Sequence, residues 1–347
     1  MPPLDWSRIR TRPLAQRRNK VSIREFSPWP PGRGKQAPSP LDLLPDILVG
    51  RQWREFVDLT VRAVARRKTV LLMMGGHVVK VGLSPLLITL MEKGAISHVA
   101  MNGAAAIHDY EIALIGATSE DVVEYLEDGR FGLWEETGGG MNRILREAVG
   151  EVAGPHGSRS RRGTPGTSGP QRAPEGLGFG AAIGRAITKG KFPHKRFSIL
   201  AAAWRLGIPA TVHAAIGAEI IHQHPACSGA AIGEASFRDF KLLTETVARL
   251  GKGVVMNWGS AVIMPEVFLK SLAVARNLGA RAYGFTSATF DMLRQYRPLV
   301  NVVDRPTGKA AGRPRGKGFV FTGHHEILFP LFYASLMNQT RRRTRAA

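Results

Sequence analysis

The stretch from Gly75 to Glu111, GGHVVKVGLSPLLITLMEKGAISHVAMNGAAAIHDYE, constrains the fold of this chain more than any other. An apolar run, Val70–Met74, stops at a glycine pair; Lys80 and Gly82 follow, then an amphipathic segment, Pro85–Lys93. A second apolar run, His98–Met101, stops at Asn102-Gly103, and His108, Asp109 and Glu111 lie just beyond it. Apolar run, glycine turn, helical period, apolar run: this succession predicts a parallel strand–helix–strand unit. Ligands of open parallel sheets occupy the crevice beyond the carboxyl ends of the strands. Glycines there let a backbone approach a phosphate with no Cβ in the way.

The same rhythm recurs along the chain. Helices are predicted over 41–68, Ser84–Glu92, 120–127 with Ser119 as N-cap, and Met141–Val149. Further helices are predicted over 179–189, Ser198–Trp204, Phe237–Leu250, Met264–Leu278 and Ile327–Asn338. Further strands are predicted at Ala210–Ala214, Gly253–Asn257 and Ala282–Phe285, and 287–323 reads as largely loop. Strands alternating with helices of this length give an α/β fold, a mostly parallel sheet with helices on both faces. One domain is expected over 41–338, interrupted by a Pro/Gly/Ser/Arg insertion at 154–178. A basic arm, 1–40, and a basic tail, 339–347, flank it.

Net charge of +21 over 347 residues suggests a nucleic-acid partner until it is located. Residues 1–35 carry +7, 154–175 carry +3 and 305–347 carry +8, so the body of the chain is nearly neutral. These segments resist packing, and we read them as arms that make non-specific polyanion contacts. No nucleic-acid reading motif accompanies them. A single cysteine, Cys227, excludes an intramolecular disulfide and a cysteine-rich metal site. No run of about 18 apolar residues and no signal-peptide core is present, so no membrane span is expected and the cytoplasm is the default location.

Polar residues gather at four predicted strand ends: Asn102-Gly103 to Glu111, His213 to Gly217 and Glu219, Asn257 to Gly259-Ser260, and Thr286-Ser287 with Asp291. Topology places such ends on one rim. Asp109, Glu111, Glu219 and Asp291 suit a cationic substrate or proton transfer at an amine-bearing carbon; capping and ion pairing are their structural alternatives. His213, His222, His224, His324 and His325 with Glu326 could instead hold zinc or iron for hydrolase or lyase chemistry, or simply hydrogen-bond near a pocket mouth. A third reading is a non-enzymatic RNA- or ribosome-associated module using the basic arms. Gly75–Gly82 matches neither the spaced dinucleotide fingerprint nor a P-loop.

Together, GGHVVKVGLSPLL, MNGAAAIHDYEIALIGATSEDV, GIPATVHAAIGAEIIHQHP, NWGSAVIMPEVFLKSLAVARNLGA, FTSATFDMLRQYRP and TGHHEI resemble the deoxyhypusine synthase family, in a divergent prokaryotic-type branch. The resemblance covers about 41–153 and 176–335. It implies a Rossmann-like NAD-binding fold and a homotetramer with sites between paired subunits. It also implies NAD-dependent transfer of an aminobutyl group from a polyamine, through a lysine imine, to a protein lysine or a small diamine.

Carried over by position, Val79, Gly82 and Leu83 fall in the first NAD-contacting turn, and Asn102, Gly103 and Ala104 in the second. Gly217, Gly259, Ser260, Thr286 and Ser287 complete the implied cofactor set. His108, Asp109, His213, Glu219 and Asp291 form the implied catalytic set, and no metal ligand is implied. Two departures stand out. His108 replaces a carboxylate of the family pattern, and no Trp-Gly-Lys segment follows Arg297-Pro298; Lys309 lies too late to take the imine role.

Overall fold

The computed structural model describes residues 27, 41–151, 176–308 and 312–346, the last with side chains to 340. The arm apart from Ser27, most of the insertion, and Lys309 lie outside the described residues. Two compact units divide the chain, Met1–Glu55 and Phe56–Ala347, and the sheet belongs to the second. Among the described residues no helix is long and apolar enough to cross a membrane.

The elements run α1 (Leu48–Ala65), β1 (Val70–Met74), α2 (His77–Lys80), α3 (Ser84–Glu92), β2 (His98–Asn102), α4 (Gly103–Ile115) and α5 (Val122–Glu127). A π-helix (Glu135–Gly139) leads into α6 (Gly140–Ala148), then α7 (Phe179–Lys189), α8 (Ile199–Leu206), β3 (Ala210–His213), α9 (Gly229–Ala248), β4 (Val254–Trp258) and α10 (Ile263–Asn277). β5 (Thr286–Asp291), a second π-helix (Pro298–Asp304), α11 (Arg305–Thr307), β6 (Lys317–Thr322) and α12 (His325–Ala346) complete the order.

Six strands form one sheet in the order β3-β2-β1-β4-β5-β6, every neighbouring pair parallel. This is the doubly wound Rossmann-like arrangement, whose direction of winding reverses between β1 and β4. β1 and β4 are buried along their whole length, as strands covered on both faces must be. One core cluster joins Leu71, Met73, Val255 and Ala100 of the sheet to Leu243, Val247, Met264, Phe268 and Leu272 of α9 and α10. An aromatic layer forms a second core: Trp258 stacks on Phe290 with centroids 3.8 Å apart, and Phe321, Phe329 and Phe332 close around them.

The last third of the chain departs from the sequence reading. The predicted strand Ala282–Phe285 is a loop, and β5 begins at Thr286. Residues 287–323, expected to be largely loop, hold most of β5, a π-helix and the edge strand β6. Phe237–Leu250 is a longer helix that begins at Gly229, and Asp121 rather than Ser119 caps α5.

Candidate functional site

At the reversal, the ends of β1 and β4 are tied backbone to backbone. The Gly75 N–H donates to the Trp258 carbonyl at 3.0 Å, and the Gly259 N–H donates to the Phe290 carbonyl at 3.0 Å. A Cβ on Gly75 would stand 2.5 Å from the Gly259 oxygen. Gly259 has φ +66, and a Cβ there would run into the His325 ring. These glycines therefore admit neighbouring protein groups as well as opening the rim. The left-handed conformation alone costs an alanine roughly 1–2 kcal/mol, before any clash. Gly259→Ala is accordingly expected to lower the unfolding midpoint in urea, with the slope unchanged.

Histidines crowd this crevice. His325, at the start of α12, is buried; its Nε2 lies 3.2 Å from the Phe290 carbonyl, and its Nδ1 has no hydrogen-bond partner among the described residues. The His77 ring lies 5.4 Å away, centroid to centroid. On α4, the His108 ring edge packs over Gly76, with Cδ2 3.0 Å from where a Cβ would stand.

The protonation of His108 follows from its partners. The Thr118 hydroxyl donates to Glu111 Oε2 at 2.5 Å, so it can only accept at His108 Nδ1, 2.7 Å away. Nδ1 then carries the hydrogen, and Nε2 offers a lone pair with no partner among the described residues. Thr137, in the π-helix, donates to Glu111 Oε1 at 2.9 Å and fixes the carboxylate from its other side. Burial, with the nearby Lys80 charge, pushes the His108 pKa down to about 4, so the ring is a neutral acceptor.

Glu219 comes to the same rim from the β3–α9 connection. Its carboxylate accepts the Ala215 N–H at 2.9 Å and the Gly103 N–H, and it rests where a Cβ on Gly103 would lie. Burial raises its pKa. His222 Nδ1 accepts the Gly217 N–H at 3.1 Å and lies 3.2 Å from Glu219 Oε2. The amino end of α4 is thereby filled by a carboxylate of the chain itself, a placement the helix dipole favours. His213, the last residue of β3, is buried, with Nε2 3.0 Å from Thr211 Oγ1. Asp291 ends β5 on this rim, where its Oδ1 accepts the Met292 N–H at 2.8 Å.

The other expected site residues are engaged within the fold, and several of them stand away from the rim. Asp109 is wholly buried and accepts the Ser198 hydroxyl and the N–H groups of Ile199 and Leu200, at 2.6 to 3.1 Å. It caps α8, and burial pushes its pKa up to about 6. Thr286 and Ser287 open β5 at the amino end of the strands, opposite the rim, because the strand runs on to Asp291; Ser287 Oγ donates to the Val302 carbonyl. Val79 and Leu83 are core residues, and the N–H groups of Val79, Gly82 and Leu83 are spent on local turns. Asn102 caps α4 by accepting the Ala105 N–H at 3.0 Å, with Ala104 half-buried in the same first turn. Gly217 lies in an exposed left-handed turn, and Ser260 Oγ accepts the Met264 N–H at 3.1 Å in the first turn of α10. His224 points toward Glu135, at 3.7 Å, and His324 toward Glu326, at 3.6 Å. Among the described residues no three His, Cys, Asp or Glu side chains converge as a metal site.

Two buried elements were missed by sequence reasoning. His98, at the start of β2, contacts Thr246 and Thr211. Asp239, on α9, accepts the Gly180 and Val212 N–H groups at 2.8 and 2.7 Å. His98 opens an otherwise apolar run, whereas Asp239 lies between Arg238 and Phe240-Lys241, where a charge carries no signal of burial.

These histidines set an acid limb of stability. Burial pushes His98 and His213 down to about 3. Below pH 6.5 the unfolded chain takes up protons that the folded rings refuse, so their contribution is present above 6.5 and is lost as pH falls. Burial also raises Asp109 to about 6 and Asp239 to about 7, which works in the opposite direction as pH falls from 7 toward 4. In chemical unfolding at pH 6 and pH 5, His98→Gln should flatten the acid limb by roughly 1.4 kcal/mol per pH unit.

No family model and no curated protein matches the sequence. Solved structures with partial likeness include a conserved candidate LOR/SDH protein from Methanococcus maripaludis S2, at 14% identity and TM-score 0.45, covering 83% of this chain and 68% of that one. A candidate deoxyhypusine synthase from Entamoeba histolytica shares 10% identity at TM-score 0.46, covering 84% and 89%. ArgZ, an arginine dihydrolase of the cyanobacterial ornithine–ammonia cycle, shares 13% at TM-score 0.47; the alignment covers 84% of this chain but only 33% of ArgZ. With TM-scores below 0.5, these likenesses add nothing to what the strand order and register establish: a Rossmann-like α/β fold.

Proposed function

We propose that this chain is an NAD-dependent enzyme whose dinucleotide occupies the crevice between the ends of β1 and β4. The observation that carries this reading is the strand order, which reverses where glycine-containing turns from both strands meet. The β4 side fits the cofactor better than the β1 side. Gly259-Ser260 leads into α10, a helix of 15 residues whose N-cap, Val262, has no capping side chain. The Met264 N–H is taken by Ser260 Oγ, Pro265 has none and the Gly259 N–H goes to the Phe290 carbonyl. This leaves the N–H groups from Ser260 to Ile263 without a partner among the described residues, and such donors suit a pyrophosphate. On the β1 side the helix that follows has only four residues, the N–H groups from Val79 to Leu83 are used in local turns, and β2 ends in Asn102, where a ribose-binding acid would stand in the usual fingerprint. Gly259, Ser260 and the first turn of α10 would hold the phosphates, with Gly75 and Gly76 across the crevice.

When bound, NAD supplies an acceptor for hydride from the substrate. His108 Nε2 is the chain's own base beside it, held in one tautomer by Thr118 and Glu111. Glu219 and Asp291 place carboxylates on the rim, which supports a small cationic substrate. The resemblance to deoxyhypusine synthases supports an amine, and an aminoalkyl group transferred to a lysine or diamine as its onward reaction. Titration calorimetry with NAD, followed by turnover assays over spermidine, putrescine and agmatine, tests both levels. NAD binding without amine turnover would remove the substrate class and leave the cofactor. Absence of NAD binding would remove the reading itself.

A further inference from the structure

Within the β2–β3 pair and against α9 lies a chain of four buried side chains that the proposed reaction does not use. His98 Nδ1 lies 2.8 Å from Thr246 Oγ1, and His98 Nε2 lies 3.0 Å from Thr211 Oγ1. The same Thr211 oxygen lies 3.0 Å from His213 Nε2. The register explains the contact: Asn102 faces His213 and Ala100 faces Thr211, so His98, Thr211 and His213 share one face of the β2–β3 pair. All four residues are at most 5% exposed. His213 Nδ1, at the carboxyl end of β3, has no partner among the described residues.

Proton counting couples the two rings. Both imidazoles are neutral, so each carries one hydrogen. Thr211 owns a single hydrogen and sits between two Nε2 atoms, so it donates to one and accepts from the other. The rings must therefore hold opposite tautomers. If His98 carries its hydrogen on Nε2, His213 carries its own on Nδ1 and presents a donor at the rim. If His98 carries it on Nδ1, His213 presents a lone pair.

We propose that Thr246, His98, Thr211 and His213 form a proton relay from α9 to the rim, in which Thr211 couples the tautomers and switches His213 Nδ1 between donor and acceptor. A proton accepted at Nδ1 moves the Nε2 hydrogen of His213 to Thr211 and the Thr211 hydroxyl hydrogen to His98 Nε2. The Nδ1 hydrogen of His98 then passes to Thr246, whose hydroxyl hydrogen leaves to solvent water. One proton enters, one leaves, and no ring ends charged. His98, Thr211 and Thr246 are positioning residues in this scheme. Its use in catalysis rests on the crevice being the reaction site, whereas the coupling itself does not.

Nitrogen-15 NMR of the full chain with labelled histidine, without cofactor at pH 7, reads the tautomers directly. The expected wild-type result is one Nε2 protonated and the other bare, with both rings neutral. Thr246→Val removes the hydroxyl that His98 Nδ1 meets. An unpaired buried N–H is less tolerable than an unpaired acceptor, so His98 should hold its hydrogen on Nε2 and His213 on Nδ1. Thr211→Val should abolish the correlation, and Thr246→Ser should retain the wild-type pattern as the folding control. Two rings in the same wild-type tautomer, or a His213 in Thr246→Val that is not the Nδ1–H form, would overturn the relay. Failure of NAD to bind, with the coupled tautomers intact, would instead sink only the crevice reading.

Discussion

His108→Asn should lower turnover of whichever amine proves to be the substrate by roughly two to four orders of magnitude, the usual worth of a positioned general base. The substitution is chosen because an asparagine amide can place an N–H near the position of Nδ1, keeping the donation to Thr118 while removing the Nε2 lone pair. Fold and NAD affinity should survive, because the lost atom has no partner among the described residues. Thr118→Val tests the arrangement from behind. It breaks the link from His108 Nδ1 to Glu111, which lie on either side of one hydroxyl at 2.7 and 2.5 Å. The tautomer is then no longer imposed, and a smaller loss in kcat with an altered pH profile is expected. If His108→Asn retained wild-type turnover, His108 would be a structural residue and the base would have to be sought elsewhere on the rim.

The second large effect is on stability. Asp239 joins α9 to the amino end of α7 and to the middle of β3 through two backbone donors, Gly180 and Val212. Gly178 is a glycine because the carboxylate occupies the space its Cβ would take. Asp239→Ala leaves both N–H groups buried and unpaired, at about 1–3 kcal/mol each, and opens a void beside them. Urea unfolding should show a loss of about 3 kcal/mol or more, with an unchanged denaturant slope if the folded state stays intact. Asp239→Asn should lose less, because both donors meet one carboxylate oxygen, Oδ2, and the single amide oxygen can still accept them. Equal losses for Ala and Asn would show that the carboxylate is not what joins these elements.

The sequence announced the strands that are apolar and end in a breaker. β1, β2, β3 and β4 were visible because Gly75, Gly103, Gly207 and Gly259 punctuate short apolar runs. β5 was misplaced because Ala282 to Phe285 is the more apolar run, whereas TSATFD alternates small polar and apolar residues yet is buried between β4 and β6. β6 was hidden by its position at the edge, where Lys317 and Gly318 are exposed and weaken the apolar signal. α4 followed Asn102 so directly that GAAAIHDYE read as a turn with a polar cluster.

For the site, the rim itself was legible but the roles of its residues were only partly so. Asp109 and His108 are adjacent in sequence, yet consecutive helix positions face different directions. One enters the core to cap α8 and the other faces Gly76. The glycines at the strand ends were read as room for a ligand, but much of that room holds Glu219 and His325. His98 could not be linked to His213 from the sequence, because 115 positions separate them and only the register of β2 against β3 brings them to one face.

The most direct test of the account is a crystal structure of the full chain grown with NAD. The account predicts density for the pyrophosphate between the ends of β1 and β4, against Gly259-Ser260 and the first turn of α10, with the reactive end of the cofactor within reach of His108 Nε2. Nucleotide density elsewhere on the chain, with this crevice closed by His77 and His325, would contradict it.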